Sequence, residues 1–164
     1  MPDPHRLRAL TEGDAPAVAA LAETLNRHFG IKAPPFPAEA IRPLLTGARP
    51  FLYGVLAEDA SGAAIGYALC QDFFDTDAGR MGVWLHDLYV EPGRRNAGLG
   101  RALLAAVARR AVEEGRGSVG LAAYRSNPAH RLYERVGAAL PEEALVYELR
   151  GAALSELAEA AQAL

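Results

Sequence analysis

The segment from residue 88 to residue 100 constrains the fold of this chain more than any other. An apolar, β-rich run ends at Val90, a turn that contains glycine follows, and an Ala/Leu-rich helix is predicted to begin at once. The first N–H groups of a helix have no partners inside it, and the helix dipole adds positive potential there. The segment therefore predicts an anion site, most naturally for a phosphate group. Three arginines add positive charge around it: Arg94, Arg95 and Arg101.

Three common phosphate-binding motifs differ from this segment. A P-loop needs a Lys-Ser/Thr pair after its glycines, but Arg101 and Ala102 follow Gly100. A dinucleotide fingerprint needs a further glycine three residues after Gly100, where this chain has Leu103. A kinase glycine loop does not lie between a strand and a helix. The remaining pattern, Arg-x-x-Gly-x-Gly at 95–100, is also compatible with a tight turn that binds no ligand.

Composition narrows the class of protein. The length of 164 residues and the apolar content of 51% predict one globular domain over 1–164, with a core at about 5–150 and a helical extension at 151–164. The formal net charge of −3 argues against a nucleic-acid partner, which needs a basic face. Because no apolar run approaches the roughly 20 residues of a membrane span, no membrane partner is predicted. The single cysteine, Cys70, argues against an internal disulfide and favours the cytoplasm.

Periodicity and turn residues predict a mixed α/β fold of the α+β type. Strands are predicted at 5–10, 51–58, 63–74, 79–90, 118–123 and 144–149. Helices are predicted from a start flanked by Thr11 and Asp14 to about Phe29, and at 38–46, 98–114, 128–136 and 152–163. The helix at 98–114 predicts a crossover between two parallel strands.

Two segments together resemble a known family. Residues 85–104, which contain Arg95-x-x-Gly98-x-Gly100, resemble the acetyl-CoA motif of the GCN5-related N-acetyltransferase (GNAT) superfamily. Residues 129–138 resemble the second motif of that family at the usual separation, and residues 7–14 resemble its first strand and helix start. The resemblance implies an acetyl-CoA-dependent N-acetyltransferase. It also implies a twisted mixed sheet of six to seven strands flanked by four helices, to which this chain adds a C-terminal helix.

The resemblance implies how acetyl-CoA is bound. Backbone amides at 95–101 would hold its pyrophosphate, and the strands at 80–90 and 118–123 would splay so that Leu88 and Val90 pair with the pantetheine arm. The implied coenzyme-binding residues are Leu88, Tyr89, Val90, Arg95, Asn96, Ala97, Gly98, Leu99, Gly100, Arg101 and Asn127. The family usually has glycine where this chain has Asn96, and asparagine tolerates positive φ better than most residues. Asn127 is also a candidate helix N-cap, because Pro128 follows it.

Tyr133 is the candidate acid that protonates the departing thiolate. The resemblance implies this role, since a tyrosine at the matching place in the second motif commonly has it. The alternative is a core position, because the apolar face of this helix contains Ala129, Leu132, Tyr133 and Val136.

His86 and Asp87 are the candidate bases for the acceptor amine. An alkylammonium group with a pKa of about 10.4 is almost fully protonated at pH 7, so the site must remove a proton. Alternation along the strand predicts opposite faces for the two side chains. Their pattern resembles the Glu-Asp pair of the diamine acetyltransferase branch, and an ordinary hydrogen-bonded histidine is the alternative for His86. Three nearby carboxylates offer either negative charge at the cleft mouth or a solvated loop: Asp72, Asp75 and Asp77.

The predicted function is transfer of an acetyl group from acetyl-CoA to a primary amine of a small molecule, by direct attack in a ternary complex. The alternatives are a non-catalytic acyl-CoA-binding module, a protein N-acetyltransferase and a regulator that binds a nucleotide phosphate. Cys70 is expected to be a buried strand residue, and the scattered histidines predict no metal site. The apolar stripe of the C-terminal helix, Leu154, Leu157 and Ala161, predicts a homodimer contact.

Overall fold

The structure, a computed structural model, describes residues 5–32, 36–141 and 146–160 of the chain. The chain divides into two compact units, Met1–Leu132 and Tyr133–Leu164. The single domain expected over residues 1–164 stays a prediction.

The first unit contains one five-stranded sheet in the order β1-β2-β3-β4-β5. The strands are β1 (Arg6–Ala9), β2 (Tyr53–Glu58), β3 (Ala64–Asp75), β4 (Arg80–Val90) and β5 (Val119–Leu121). Neighbouring strands from β1 to β4 pair antiparallel, whereas β4 and β5 pair parallel. The parallel pair confirms the crossover predicted for the helix between these two strands, because parallel neighbours cannot be joined by a tight turn.

The helices are α1 (Ala15–His28), α2 (Ala38–Ile41), α3 (Leu99–Glu113), α4 (His130–Arg135) and α5 (Gly151–Ala160). Short 3-10 turns precede α1, follow α2 and precede α3: Glu12–Asp14, Arg42–Leu45 and Pro92–Arg94. The start of α1 is fixed as predicted, since both the backbone N–H and the hydroxyl of Thr11 donate to Asp14 Oδ2 at 2.8 Å. Within the described residues, the predicted four helices and the added C-terminal helix are confirmed.

Helices α1 and α3 pack on opposite faces of the sheet. Val18 of α1 is fully buried in a core cluster that includes Tyr67 and Leu69 of β3. Gly66 faces the other way, because a Cβ built on it would lie 3.5 Å from the Leu103 side chain of α3. Successive β3 residues therefore alternate between the side of the sheet that α1 covers, the α1 face, and the side that α3 covers, the α3 face.

The sheet has fewer strands than predicted. Five strands are found in the part of the chain that the structure describes, whereas six to seven were expected. Of the last predicted strand, at 144–149, residues 144 and 145 lie outside the described residues and residues 146–149 have no regular structure. An alternating apolar pattern specifies a strand only where a neighbour supplies hydrogen-bond partners, and a sequence does not show that neighbour.

The helix predicted at 38–46 is divided in two. Helix α2 ends at Ile41, and a 3-10 turn, Arg42–Leu45, replaces its continuation. Pro43 explains the break, since proline lacks the N–H group that an α-helix would use at that position. Cys70 is completely buried in β3, which confirms the prediction for it.

The second unit begins inside α4 and contains α5. Gly137 ends α4 with a φ of 84°, and its N–H donates to the Glu134 carbonyl at 3.0 Å. Every residue of α5 is exposed. Residues 161–164, the end of the predicted helix at 152–163, lie outside the described residues. A search of the described helices finds none that is long and apolar enough to span a membrane.

Candidate active site

The turn between β4 and α3 presents a row of unpaired backbone N–H groups. Asn96 and Gly98 have φ values of 64° and 86°, in the left-handed region. In the part of the chain that the structure describes, the N–H groups of residues 96–98 have no backbone acceptor. Those of residues 99–101 belong to the first turn of α3, whose first backbone bond runs from the Ala102 N–H to the Gly98 carbonyl at 3.0 Å. Six consecutive N–H groups are therefore available to an anion.

Two arginines hold the beginning of this turn. Arg95 donates from Nε to the Val90 carbonyl at 2.9 Å, and its guanidinium carbon lies 5.7 Å from the centre of the Tyr89 ring. Arg94 forms an ion pair with Asp59, which lies in the β2–β3 turn, at 3.4 Å. The conformation of the turn is therefore fixed by contacts to β4 and to the hairpin that precedes it.

The side chains of the turn leave its N–H groups open to solvent. Leu99 is buried against the sheet, whereas Ala97 and Arg101 are exposed and Gly100 has no side chain. A ligand can therefore approach the N–H groups without displacing a side chain, and Arg101 adds a positive charge at the start of α3.

Among the described residues, strand β4 has no strand partner on one side over its second half. Its pairing with β5 ends at Leu85 in the described residues. The Glu91 N–H donates in the opposite direction, to the Ile65 carbonyl of β3 at 3.0 Å. Because backbone groups alternate along a strand, Leu88 and Val90 direct theirs towards the edge that β5 leaves open. The two strands thus leave a gap beside Leu88 and Val90, directly before the turn.

A β-bulge interrupts β4 next to this gap. Asp87 pairs with Leu69, and Leu85 pairs with Cys70, so His86 is the extra residue with no partner on β3. A bulge shifts the alternation of every residue that follows it, which explains why Leu88 and Val90 face the gap. Without the bulge, alternation from Val83, whose N–H donates to the Ser118 carbonyl at 2.9 Å, would direct Asp87 there instead.

The bulge also overturns the prediction that His86 and Asp87 lie on opposite faces. The His86 Nε2 atom lies 3.0 Å from Gln71 Oε1, and Asp87 is the partner of Leu69. Gln71 and Leu69 are two residues apart on β3 and therefore share the α1 face. His86 and Asp87 consequently lie side by side on that face, an arrangement that regular alternation forbids.

The environment of His86 favours its neutral form. Its ring is exposed at the sheet surface, and partial desolvation lowers its pKa, although the neighbouring Asp87 charge acts in the other direction. A pKa below the ordinary value of about 6.5 leaves the ring largely neutral at pH 7. His86 can therefore accept a proton there.

Asp87 is held by a buried tyrosine. The Tyr67 hydroxyl donates to Asp87 Oδ2 at 2.9 Å, and Tyr67 is completely buried. Burial raises the pKa of Asp87, and the hydrogen bond from Tyr67 opposes this shift. Tyr89, the β4 partner of Tyr67, has a buried hydroxyl without a hydrogen-bond partner in the described structure. The α1 face therefore contains a small group of polar atoms beside His86.

Tyr133 lies in α4, in the second unit of the chain. Its side chain is partly buried, and desolvation raises the pKa of its hydroxyl. A raised pKa keeps the hydroxyl protonated at neutral pH, as an acid requires. Its predicted catalytic role stays a prediction.

Asn127 caps the helix that follows it. Its Oδ1 accepts a hydrogen bond from the Ala129 N–H at 2.9 Å, so the predicted capping role is confirmed. A contact between Asn127 and the pantetheine arm stays a prediction.

Asp72 does not contribute free negative charge at the cleft mouth. It accepts a hydrogen bond from the Tyr53 hydroxyl at 2.7 Å and forms an ion pair with Arg116 at 2.5 Å. Asp75 accepts bonds from the N–H groups of Asp77 and Ala78, at 3.1 and 3.0 Å, and so stabilises its own turn. Of the two interpretations of these acidic residues, the solvated loop describes Asp75 and Asp77, and Asp72 is a structural residue.

Sequence reasoning missed Tyr67. A tyrosine between glycine and alanine in an apolar strand is typical of a core residue, and nothing local distinguishes it. Only the pairing of β3 with the bulged β4 brings its hydroxyl to Asp87. The contact between the rings of Phe29 and Tyr124, whose centres lie 5.5 Å apart, could not be predicted either, because 95 residues separate them in sequence.

A comparison with family models identifies the chain. The model of the acetyltransferase (GNAT) family matches residues 18–138, which is most of the sequence. The chain belongs to the acetyltransferase (GNAT) family. This confirms the predicted superfamily, and the protein is accordingly an acetyl-CoA-dependent N-acetyltransferase. No curated protein matches the sequence to significance.

Solved structures have the same fold as this GNAT protein. An integron cassette protein from V. cholerae is 21% identical with a TM-score of 0.76, and the match covers 94% of this chain and 98% of that one. A ribosomal-protein-alanine N-acetyltransferase from Brucella melitensis biovar Abortus 2308 is 21% identical with a TM-score of 0.73, over 89% and 99% of the two chains. An aminoglycoside acetyltransferase from an uncultured soil metagenomic sample, solved with sisomicin, is 20% identical with a TM-score of 0.72, over 90% and 95%.

The comparisons establish the GNAT family but do not confirm its diamine branch, which the His86–Asp87 pattern resembles. GNAT proteins use acetyl-CoA, and the coenzyme is therefore the donor here. Among the described residues, no group of three or more His, Cys, Asp or Glu side chains is placed to hold a metal ion.

Proposed function

We propose that this GNAT protein transfers an acetyl group from acetyl-CoA to a primary amine of a small molecule, by direct attack in a ternary complex. The observation that carries the proposal is the row of six unpaired N–H groups at 96–101, directly after a strand with an open edge. Such a row suits a diphosphate, since each N–H can donate to a phosphate oxygen and the α3 dipole adds positive potential.

The residues present fit coenzyme A along the whole of this path. The N–H groups of residues 96–101 hold the diphosphate, and Arg95 and Arg101 contribute charge. The backbone groups of Leu88 and the N–H of Val90 bond to the pantetheine amides as an added strand would, while the Val90 carbonyl accepts a hydrogen bond from Arg95 Nε. Tyr89 supports Arg95 through its ring. Asn127 caps α4 and is a further candidate contact of the pantetheine arm. Bound acetyl-CoA supplies the acetyl thioester.

His86 serves as the base that removes the amine proton, directly or through water. An ammonium with a pKa of about 10.4 is neutral in roughly 1 molecule in 2,500 at pH 7, equivalent to roughly 4.6 kcal/mol. A neutral, exposed imidazole is suited to this task. Asp87, the other candidate, is less exposed than His86 and already accepts a hydrogen bond from Tyr67, so it is the less accessible proton acceptor.

Tyr133 donates the proton that the departing thiolate needs. Desolvation keeps its hydroxyl protonated, and it stands in the segment that resembles the second family motif. No other residue is required between the two substrates, because Cys70 is buried and direct attack needs no covalent enzyme intermediate.

A small-molecule acceptor is favoured by the His86–Asp87 pattern and by the aminoglycoside acetyltransferase among the structural neighbours. The ribosomal-protein-alanine N-acetyltransferase neighbour supports the second candidate, acetylation of a protein. A cytoplasmic location and a homodimer through α5 complete the proposal.

The test is release of free thiol from acetyl-CoA over a panel containing a diamine, an aminoglycoside and an alanine-initiated peptide. We expect turnover with a small amine, a fall of about 100-fold in kcat for Tyr133→Phe, and unchanged coenzyme affinity by calorimetry in that variant. Turnover with the peptide alone would select the second candidate. Tight coenzyme binding without turnover on any acceptor would mean a binding module, and no affinity for coenzyme A would end the proposal.

A further inference from the structure

A buried tyrosine and a carboxylate form a defined pair on the α1 face, next to the bulge in β4. The Tyr67 hydroxyl donates to Asp87 Oδ2 at 2.9 Å, and Tyr67 has no exposed surface. Its ring is fixed by packing in the same core cluster as Leu69 of β3 and Val18 of α1. The hydroxyl therefore has a fixed position, and the hydrogen bond determines where the carboxylate points.

The second oxygen of this carboxylate is available. Asp87 is partly exposed, and among the described residues only its Oδ2 accepts a hydrogen bond from a side chain. The bulge brings the exposed ring of His86 onto the same face, directly beside it. A group that bonded to Asp87 Oδ1 would consequently lie within reach of His86.

We propose that Tyr67 is a positioning residue for acceptor binding, which holds Asp87 so that its free oxygen anchors the acceptor's ammonium group next to His86. The inference rests on the proposed function and specifies its acceptors as cationic amines. An ammonium and a carboxylate form a charge-assisted hydrogen bond, which is stronger where the carboxylate is partly desolvated.

The charged and titratable groups near this pair are compatible with such an anchor. His86 is neutral by preference and Tyr89 is a buried hydroxyl, so neither carries positive charge. Arg95 lies over the Tyr89 ring, and the positive charge of Arg27 in α1 acts to lower the pKa of Tyr89. Neither arginine forms an ion pair with Asp87 in the described structure. The carboxylate is therefore not neutralised by a protein cation.

The chain supplies a matched control for Tyr67. On the α3 face, the hydroxyl of Tyr53, which is 8% exposed, donates to Asp72 Oδ1 at 2.7 Å. Tyr53→Phe and Tyr67→Phe each remove one buried hydroxyl that donates to an aspartate, and Asp72 has no part in the proposed reaction. A general loss of stability should be similar in the two variants, whereas an effect on acceptor binding should appear only in Tyr67→Phe.

The experiment compares KM and kcat of the wild type, Tyr67→Phe, Asp87→Asn, the double variant and Tyr53→Phe, with acetyl-CoA and the best amine of the panel. We expect Tyr67→Phe to raise the KM for the amine about tenfold, as the loss of one hydrogen bond to a charged group does. The kcat and the KM for acetyl-CoA should stay within about twofold. Asp87→Asn should raise the amine KM at least as much, and the double variant no further, because the two residues act as one unit.

Three results would overturn the inference. The first is an amine KM that does not change in Tyr67→Phe. The second is a double variant in which the increases in amine KM of the two single variants multiply. The third is an increase in amine KM in Tyr53→Phe equal to that in Tyr67→Phe. Should Tyr67→Phe fail to fold, an unchanged amine KM in Asp87→Asn overturns it as well. A wild type that releases no thiol with any amine would instead refute the proposed function, and this inference with it.

Discussion

Asn96 occupies a backbone conformation that usually belongs to glycine. Its φ of 64° lies in the left-handed region, where a side chain costs roughly 1 kcal/mol and asparagine less than most residues. This conformation forms part of the β4–α3 turn, in which the N–H groups of residues 96–98 have no backbone acceptor among the described residues. Asn96 thus adopts the positive φ that glycine adopts freely.

Two variants of Asn96 separate conformation from side-chain chemistry. We expect Asn96→Gly to bind coenzyme A with wild-type affinity, because glycine adopts positive φ freely. Asn96→Val should weaken binding at least tenfold, because a β-branched residue disfavours this conformation strongly. Calorimetry with coenzyme A measures both, and equal affinity of the valine variant and the wild type would contradict the role of the turn.

The protonation of His86 gives the reaction a defined pH dependence. Its pKa is lowered from the ordinary value by desolvation, and the neutral ring is the form that accepts a proton. We therefore expect kcat/KM to be constant above the lowered pKa and to fall as the pH decreases through it, with the midpoint below about 6.5. His86→Gln should lower kcat about 100-fold and abolish this acid limb.

A matched change at an exposed histidine completes that experiment. His28, at the end of α1, is exposed and has no proposed role, so His28→Gln should keep the acid limb and the rate. An acid limb that persists in His86→Gln would show that another group is the base.

At the scale of elements, an ion-pair cluster joins β1, β2 and the start of α1. Arg8 donates to both oxygens of Asp14, at 2.7 and 2.8 Å, and to Glu58 Oε1 at 2.8 Å. Asp14 is 8% exposed, and the hydrogen bond from Arg8 lowers its pKa to about 2. The cluster ties the start of α1 to β1 and β2.

Removing this charge should destabilise the protein. We expect Asp14→Asn to lower the free energy of unfolding by about 2 kcal/mol, because the charge-assisted hydrogen bonds from Arg8 to Asp14 are lost while Arg8 keeps its bond to Glu58. Since the folded pKa of Asp14 is below its unfolded value, this stabilisation is complete above about pH 4 and disappears as the pH falls towards 2. Denaturant unfolding at several pH values measures this free energy.

Glu23→Gln, which breaks an exposed ion pair with Arg27, is the control and should change the free energy of unfolding by less than about 1 kcal/mol.

The elements with long, regular patterns could be predicted from the sequence, and so could the phosphate turn. The glycines, the arginines and the change of period at residue 90 are all local signals. The bulge at His86 could not be predicted, because it depends on how β4 aligns with β3. The two residues that it places on one face are the proposed base, His86, and the proposed anchor of the ammonium group, Asp87. The hydrogen bond from Tyr67 to Asp87 could not be predicted for the same reason, since only strand pairing brings the Tyr67 hydroxyl to Asp87.

At the scale of the whole molecule, the second unit exposes most of its apolar side chains. Leu154 and Leu157 of α5 are 52% and 59% exposed, three residues apart on one helix face. Exposed apolar stripes of this kind are typical of contact surfaces, which agrees with the homodimer proposed from the sequence. The strand predicted at 144–149 illustrates the limit of prediction here, since an alternating pattern does not identify a pairing partner.

A charge on this stripe tests the homodimer. We expect Leu154→Glu to convert the dimer to a monomer in light scattering, because a carboxylate cannot be buried in an apolar contact without a partner. Ser155→Glu introduces the same charge at the next position along α5 and should leave the dimer intact. A wild type that is already monomeric would remove the proposed contact.

The bulge in β4 has a consequence for how the chain reaches its native alignment. If β3 and β4 paired without it, Asp87 would turn towards the apolar side chains of α3 and Leu88 would turn to the opposite surface. A carboxylate forced among leucines costs several kcal/mol, so the slipped alignment is disfavoured from the moment the two strands meet. Asp87, the proposed anchor of the acceptor's ammonium group, therefore also favours, during folding, the strand alignment that the anchor requires.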